Sequence, residues 1–151
     1  MSDSLEVYGG FPTGGSSFAQ RNPAIFLTIL TGDLGITNDS TDNVFHLISC
    51  PPDQSGIVLD GLHLRHANAD GENDFGKGAA IYNQGEMSLY DVTMTQNYGR
   101  TDGQIIYNDG EFAILTLTNC TIYTPVDGFI KFLNEQSARV FFFGNTQFLK
   151  E

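Results

Sequence analysis

Two short segments recur along this 151-residue chain, and this internal repetition is the feature that most limits what it can fold into. The run Ala80–Glu86 recurs 25 positions later as Ile105–Glu111, and more faintly at 131–135. A second series lies between these copies at intervals of 26 to 30 residues, with apolar residues in its first and sixth places: Leu59–Leu64, Leu89–Met94, Leu117–Ile122 and Phe143–Phe148. Because a fixed period of about 20 to 50 residues is typical of stacked repeat architectures, the sequence predicts a solenoid.

The third residue of each copy in the second series is Gly, Asp or Asn, and these residue types adopt positive φ most readily. A strand that turns at such a residue and continues as another strand forms a corner, with apolar residues on both sides facing one interior. Gly and Asx residues interrupt every window long enough for an amphipathic helix. We therefore predict one all-β domain, a parallel β-solenoid of about five coils at 5–43, 44–78, 79–103, 104–128 and 129–151.

Composition narrows the functions that a chain of this length can have. The 18 acidic residues exceed the 7 Lys and Arg residues, and the formal net charge of -11 opposes contact with nucleic-acid phosphates and with anionic lipid surfaces. No stretch approaches the roughly 18 apolar residues of a transmembrane helix, so neither nucleic-acid binding nor membrane insertion is predicted. Cys50 and Cys120 match no metal or redox spacing, and we predict that they are packing residues.

Six further runs carry a resemblance to a known group: Val7–Pro12, Arg21–Pro23, Thr28–Leu34, Asp42–Leu47, Leu59–Leu62 and Gly78–Asn83. With them, nearly the whole chain resembles the right-handed parallel β-helix (pectin-lyase-like) repeat proteins. More narrowly, it is similar to secreted bacterial surface proteins of the polymorphic outer-membrane-protein type. The resemblance implies a right-handed parallel β-helix in an extracellular or cell-surface setting. Proteins of this type usually carry a signal peptide, which the opening Met1–Ser4 does not show.

Amide and carboxylate side chains recur in register and are predicted to stack along the solenoid axis. One row consists of Asn83, Asn108 and Asn134, and the other of Asp91, Asn119 and Asn145. Stacked Asn side chains hydrogen-bond to one another and to the backbone at corners. We predict that both rows are structural ladders.

A candidate ligand face combines basic and aromatic side chains. His63 and Arg65 are two residues apart, so they share one side of a strand, where they either contact an anionic sugar or form a solvated surface. Tyr82 and Tyr107 are equivalent residues of successive repeats and either stack on carbohydrate or pack in the fold, depending on strand parity. Carbohydrate is the partner that this face would bind.

Oxygen donors are concentrated in the segment 68–74, which makes it a candidate calcium site. The donors are Asn68, Asp70, Glu72 and Asp74, and hard oxygen ligands suit Ca²⁺. The segment is not an EF-hand loop, because its sixth residue is Asn73 instead of Gly. A solvated acidic turn is the alternative interpretation.

The C-terminal residues continue as strand-like sequence almost to Glu151, which predicts an open apolar edge formed by Phe141, Phe143 and Phe148. Such an edge would pair with another copy, in a closed oligomer or in a filament of stacked coils. The predicted function is therefore a non-catalytic structural or adhesive module. The alternative is a polysaccharide-binding or polysaccharide-degrading β-helix, although the Gly-His-Gly and Arg-Ile-Lys motifs of family members that hydrolyse polygalacturonate do not occur in the sequence.

Overall fold

The computed structural model describes residues 4–15, 17–100, 105–124 and 138–150, together with the backbone of residues 132–135. Within these residues, sixteen β-strands and three short 3₁₀ helices (Phe18–Gln20, Ser40–Asp42 and Asn73–Gly76) account for the regular structure. No helix in this part of the chain is long and apolar enough to cross a membrane. The strands are β1 (Leu5–Tyr8), β2 (Thr28–Thr31), β3 (Ile48–Cys50), β4 (Ile57–Asp60), β5 (Leu62–Arg65), β6 (Asn68–Ala69), β7 (Ile81–Asn83), β8 (Glu86–Tyr90), β9 (Thr93–Thr95), β10 (Tyr98–Gly99), β11 (Ile106–Asp109), β12 (Ile114–Thr118), β13 (Thr121–Thr124), β14 (Phe132–Glu135), β15 (Arg139–Phe143) and β16 (Gln147–Lys150).

These strands form three long parallel sheets and one small one. Sheet A has the order β1-β4-β8-β12-β15, sheet B the order β2-β5-β9-β13-β16, and sheet C the order β3-β7-β11-β14, while β6 pairs with β10. The chain passes from sheet A to sheet B to sheet C and then returns to sheet A one position further along. The molecule is therefore a parallel β-helix of about five coils, which confirms the predicted fold class.

In the last four coils, the corner between sheets A and B depends on one left-handed residue. Gly61, Asp91, Asn119 and Gly144 occupy this place, with φ of 69°, 50°, 55° and 59°. Gly, Asp and Asn tolerate this conformation at little cost, so the chain can turn sharply and continue as the next strand. Asp91 and Asn119, which were predicted as ladder residues, are exposed and set the backbone direction at this corner.

The fourth corner falls one residue earlier than the repeat alignment predicted, so the placement of Asn145 there was wrong. Leu117 pairs with Phe142 and not with the residue after it, which moves the left-handed position to Gly144. The predicted pairing of β13 with β16 still holds, so this coil contains one extra residue. Asn145 consequently contacts the ladder through its backbone, donating its N–H to Oδ1 of Asn119 at 3.0 Å.

Alternate strand residues point inward and form one continuous apolar interior. In sheet A, Leu59, Leu89 and Leu117 are paired in register and are at most 3% exposed. In sheet B, Leu64 and Met94 are paired and fully buried. Each Å² of apolar surface removed from water contributes about 25 cal/mol, so these stacks are a main source of stability.

The loop between β1 and β2 is held against the solenoid by Arg21. Its Nε donates to the Gly9 carbonyl oxygen at 2.6 Å, and its Nη2 forms an ion pair with Asp60 at the end of β4. The guanidinium also lies over the rings of Tyr8 and Phe18, 5.6 and 5.7 Å from their centroids. One side chain therefore joins this loop to two neighbouring strands of sheet A.

Candidate functional site

A polar cleft of about 390 Å³ opens beside sheet B, where the second strand of each coil ends. It is formed by the loop that follows β2, by the turns that follow β5 and β9, and by the short strands β6 and β10. Apart from Ala67, its lining residues are polar: Asp33, Asn38, Ser40, Asn43, His66, Asn68, Asp70, Gln96 and Tyr98.

His66 and Gln96 form one wall of the polar cleft and occupy equivalent places in adjacent coils. Both have left-handed backbones, with φ of 63° and 53°. His66 donates its backbone N–H to the Gln96 carbonyl at 3.0 Å, and its ring nitrogens lie 2.9 Å from Oε1 of Gln96 and 3.3 Å from Oγ1 of Thr31. Because left-handed non-glycine residues persist only where their surroundings hold them, this wall is a fixed part of the cleft.

The rest of the polar cleft is also tied down by hydrogen bonds, and it carries negative charge. Nδ2 of Asn68 donates to the Ser40 carbonyl at 2.8 Å and to Oδ2 of Asp70 at 3.2 Å. The Asp33 carboxylate accepts the backbone N–H of Asn38 at 3.2 Å. The residues that line the cleft include these two carboxylates but neither Lys nor Arg, so its local potential is negative.

Sequence reasoning missed most of this cleft. Asn68 and Asp70 were singled out as calcium ligands, whereas Asp33, Gln96 and Tyr98 were not assigned a role. A signal did exist, because His66 and Gln96 lie 30 residues apart and both directly follow the second strand of a coil. Nothing in the repeat pattern places the loop that contributes Asp33 at this cleft.

The four candidate calcium ligands do not surround a common point. Asn68 and Asp70 face the polar cleft, whereas Glu72 is exposed at the start of a 3₁₀ helix. Oδ1 of Asp74 lies 3.6 Å from Nζ of Lys77. Among the described residues, no three His, Cys, Asp or Glu side chains lie close enough together to hold a metal ion. Calcium binding at this segment stays a prediction, without a preformed ligand set.

The candidate ligand face is divided between two sheets, so its four residues do not form one surface. His63 and Arg65 lie on the outer side of β5 in sheet B and are half-buried. Tyr82 and Tyr107 belong to sheet C and are 8% and 1% exposed. The interpretation of the tyrosines as a sugar-stacking strip was wrong, because their rings are covered.

The tyrosines form a packing ladder under the segment that connects β6 to β7. Their rings stack 5.2 Å apart, and His46 packs on Tyr82 at the same distance. Nζ of Lys77 lies 4.4 Å from the ring centroid of Tyr107 and donates to its hydroxyl at 3.1 Å. Burial, together with the nearby Asp74 carboxylate, raises the pKa of Tyr82 to about 12. Tyr82 therefore stays protonated at neutral pH.

The Asn row of sheet C makes hydrogen bonds between coils. Asn83 and Asn108 are fully buried, and Nδ2 of Asn83 donates to Oδ1 of Asn108 at 2.6 Å. Nδ2 of Asn83 also donates to the Ile114 carbonyl at 3.2 Å, and Nδ2 of Asn108 to the Arg139 carbonyl at 3.3 Å. The backbone of Asn134 is paired with that of Asn108, while its side chain lies outside the described residues.

At the C-terminal end of the solenoid, the aromatic residues that extend the interior differ from those that were predicted. Phe141 and Phe143 are in register with the outward residues of β12, so they face sideways. Phe142 continues the inward row of Leu117 and is 48% exposed. Its ring packs edge-on against Phe148 with the centroids 5.6 Å apart. Among the described residues, the apolar end surface thus includes Val140, Phe142 and Phe148, and the inclusion of Phe141 and Phe143 was wrong.

At the N-terminal end of the solenoid, the described residues also leave part of the apolar interior uncovered. A cavity of about 500 Å³ lies there, and its mostly apolar lining includes Val7, Leu30, Leu47, Ile48 and Leu59. Four of these residues are only partly buried, whereas Leu59 belongs to the closed interior. At both ends of the solenoid, the described residues therefore leave part of the apolar interior uncovered.

A second groove, of about 450 Å³, contains His63 beside Asp91 and Thr93. The pKa of His63 leads to a prediction about how the stability of the protein depends on pH. Burial, and to a smaller extent the guanidinium of Arg65, lowers the pKa of His63 below its ordinary value of 6.5. As the pH falls below that value, the unfolded chain binds more protons than the folded chain, so His63 reduces stability until its folded-state pKa is reached. We expect His63→Gln to lose less Tm than the wild type between about pH 7 and pH 5.

The measurement is a pair of thermal melts of the wild type and His63→Gln across this range. Every other titratable group is common to both proteins. The difference in Tm therefore isolates the contribution of His63. A difference that stays constant with pH would contradict the prediction.

Comparison with known proteins gives no further guide to function, since no family model, curated protein or solved structure matches the chain. The function is therefore inferred from the geometry of the polar cleft and of the two ends of the solenoid.

Proposed function

We propose that this chain is a non-catalytic structural or adhesive β-solenoid module that associates with further copies of itself through the ends of its coils. The observation that carries the proposal is that the described residues leave part of the apolar interior uncovered at both ends of the solenoid. The extracellular or cell-surface setting is part of the proposal and rests on the resemblance of the repeats to pectin-lyase-like surface proteins.

The end strands support this mode of association. Among the described strands, β1 and β2 at one end and β15 and β16 at the other each have a hydrogen-bonded neighbour on one side only. Their other edges can accept a parallel strand, as the strands inside each sheet do. Pairing would also cover Phe142, and burying a Phe side chain fully contributes about 1.5–3 kcal/mol.

Charge favours association at the ends over association at the sides. The net charge of -11 makes the lateral surfaces of two copies repel one another at neutral pH. Contact at the ends is driven by apolar burial and by strand pairing, which salt does not weaken. Added salt is therefore expected to strengthen the association.

The experiment is light scattering coupled to size-exclusion chromatography over a wide concentration series, with electron microscopy of the largest species. We expect the wild type to form dimers or longer assemblies and Phe142→Asp to remain monomeric. Circular dichroism checks that the variant retains its β-structure. A wild type that is monomeric at every concentration would exclude the proposal.

The neighbouring residue provides a matched control. Phe141 is 42% exposed and lies on the same strand, but it faces sideways. Phe141→Asp introduces the same charge and should assemble as the wild type does. Equal loss of assembly in both variants would show that the end surface is not the interface.

A further inference from the structure

We infer that the self-association is head to tail: the C-terminal end of one copy binds the N-terminal end of the next, and the strands of sheets A and B continue across the joint in register. The inference rests on the proposed function and names the surface to which each end binds. A face-to-face contact between two identical ends is the alternative, and it would stop at a dimer. Head-to-tail contact leaves one free end of each kind, so it can extend into a filament.

Strand direction favours the head-to-tail contact. Every strand pair that the structure describes in sheets A and B is parallel. Head to tail, β1 of the next copy lies beside β15 and β2 lies beside β16, both in the direction of their new neighbours. A two-fold axis between identical ends would reverse one copy and make these pairs antiparallel. Only the head-to-tail contact therefore continues the hydrogen-bond pattern of the solenoid.

The inward-facing rows of the two sheets show how the ends fit. In sheet A the row consists of Val7, Leu59, Leu89, Leu117 and Phe142. In sheet B it consists of Leu30, Leu64, Met94, Ile122 and Phe148. Continuing each row by one step places Phe142 on Val7 of the next copy and Phe148 on its Leu30. Apolar residues thus meet apolar residues in both sheets.

The shapes of the two ends are complementary. At the C-terminal end, the rings of Phe142 and Phe148 pack together with their centroids 5.6 Å apart, and Phe142 is 48% exposed. At the N-terminal end, Val7 and Leu30 line the cavity of about 500 Å³. Two aromatic ends placed face to face would crowd large side chains, and two N-terminal ends would leave the cavity unfilled. Unlike ends place the rings against the cavity.

Charge also distinguishes the two ends. Strands β15 and β16 contain Arg139 and Lys150 and no acidic residue, whereas β1 and β2 contain Glu6 and no basic residue. The same register places Lys150 over Gly32 of the next copy, beside Asp33. Contact between unlike ends therefore brings opposite charges together, and contact between like ends brings like charges together. Complementarity of this kind acts mainly on the choice of the partner surface.

Sheet C does not continue across the joint. It has four described strands, whereas sheets A and B have five. The free edge of β14 therefore lies one strand spacing, about 4.8 Å, short of the level of β15 and β16. Strand β3 of the next copy cannot pair with it when the other two sheets are in contact. The joint consequently depends on β1, β2, β15 and β16.

The test is a mixing experiment with one variant that blocks each end, followed by light scattering coupled to size-exclusion chromatography. Phe142→Asp blocks the C-terminal end. Leu5→Lys blocks the N-terminal end, because Leu5 is 54% exposed, lines the cavity and would stack on Val140, next to Arg139. We expect each variant alone to need a protein concentration about tenfold or more above that of the wild type to assemble. A 1:1 mixture should form dimers and nothing longer, since it contains one intact end of each kind.

Leu27→Lys is the matched control for the N-terminal variant. Leu27 is 56% exposed, but it lines the second groove on the side of the solenoid, so this variant should assemble as the wild type does. Circular dichroism checks that all variants keep their β-structure. If Leu5→Lys assembled normally, or if the mixture stayed monomeric, the head-to-tail inference would be overturned while end association itself survived. A wild type that never assembles would overturn both.

A disulfide tests the register of the joint directly. Ile29 and Gln147 end the same outward row of sheet B, so Ile29 of one copy would lie beside Gln147 of the other. Neighbouring strands are about 4.8 Å apart, which a disulfide can span. Oxidation of mixed Ile29→Cys and Gln147→Cys proteins should give a 1:1 cross-linked dimer, whereas Leu27→Cys with Gln147→Cys should not. Equal yields from the two mixtures would overturn the inferred register. The native Cys50 and Cys120 are buried and common to all samples.

Discussion

Replacing Leu89 with alanine is expected to lower the free energy of unfolding by about 3–4 kcal/mol, because truncating a fully buried leucine loses its transfer free energy and leaves a cavity. Leu89 is 0% exposed and lies between Leu59 and Leu117 in the sheet A stack. Both neighbours are held by strand pairing, so the stack cannot collapse into the space that is left. The measurement is denaturant unfolding followed by circular dichroism.

The next residue along the same strand is the control. Tyr90 points outward and is 38% exposed. Tyr90→Ala removes more atoms than Leu89→Ala but creates no internal cavity, and we expect it to cost less than about 1 kcal/mol. If the two substitutions were equally destabilising, the stacked leucines would not be the source of stability that the structure indicates.

Replacing Asn83 with alanine is expected to cost about 2–4 kcal/mol for a different reason, which is the loss of hydrogen-bond partners inside the fold. Nδ2 of Asn83 donates to Oδ1 of Asn108 and to the carbonyls of Gly85 and Ile114, at 2.6, 3.1 and 3.2 Å. Its own Oδ1 accepts the Gly85 N–H at 3.3 Å. Alanine satisfies none of these groups, and the buried site admits little water.

A double-mutant cycle with Asn108→Ala tests whether the two side chains act as a pair. Removing one amide leaves the other buried without their mutual hydrogen bond. Removing both leaves neither side chain with that unmet hydrogen bond. The double variant should therefore lose less stability than the two single losses added together. Strict additivity would show that the contact between the amides contributes nothing. Asn145→Ala, at an exposed residue next to the last corner, should change stability by less than about 0.5 kcal/mol.

The fold could be predicted from the sequence because the same structural unit repeats along the chain. A left-handed residue between two alternating apolar runs recurs at Gly61, Asp91 and Asn119, and this pattern predicts stacked parallel strands. In the last coil this pattern placed the corner one residue too late, because Gly144 and Asn145 are adjacent and both tolerate positive φ. The backbone preferences of these two residues do not decide which of them forms the corner. The register of β15 against β12 decides it.

The sites were harder to predict because they depend on segments that do not repeat. Tyr107 lies under the connection between β6 and β7, which carries Lys77 over its ring, and Tyr82 lies under His46. Nothing local to a tyrosine shows that such a segment will fold back on it. Likewise, Asp33 and Tyr98 are 65 positions apart in the sequence and line one cleft only after the solenoid has formed.

The corner between sheets A and B also bears on how such a chain can change over evolutionary time. Glycine, aspartate and asparagine occupy the same place in successive coils, so this place constrains a dihedral angle and not a chemical group. Apart from the buried asparagine row of sheet C, the interior demands only that alternate residues be apolar. A coil that was duplicated could therefore exchange most of its side chains and still stack on its parent. Chains of this design can gain or lose whole coils and diverge far in sequence while their cross-section stays the same.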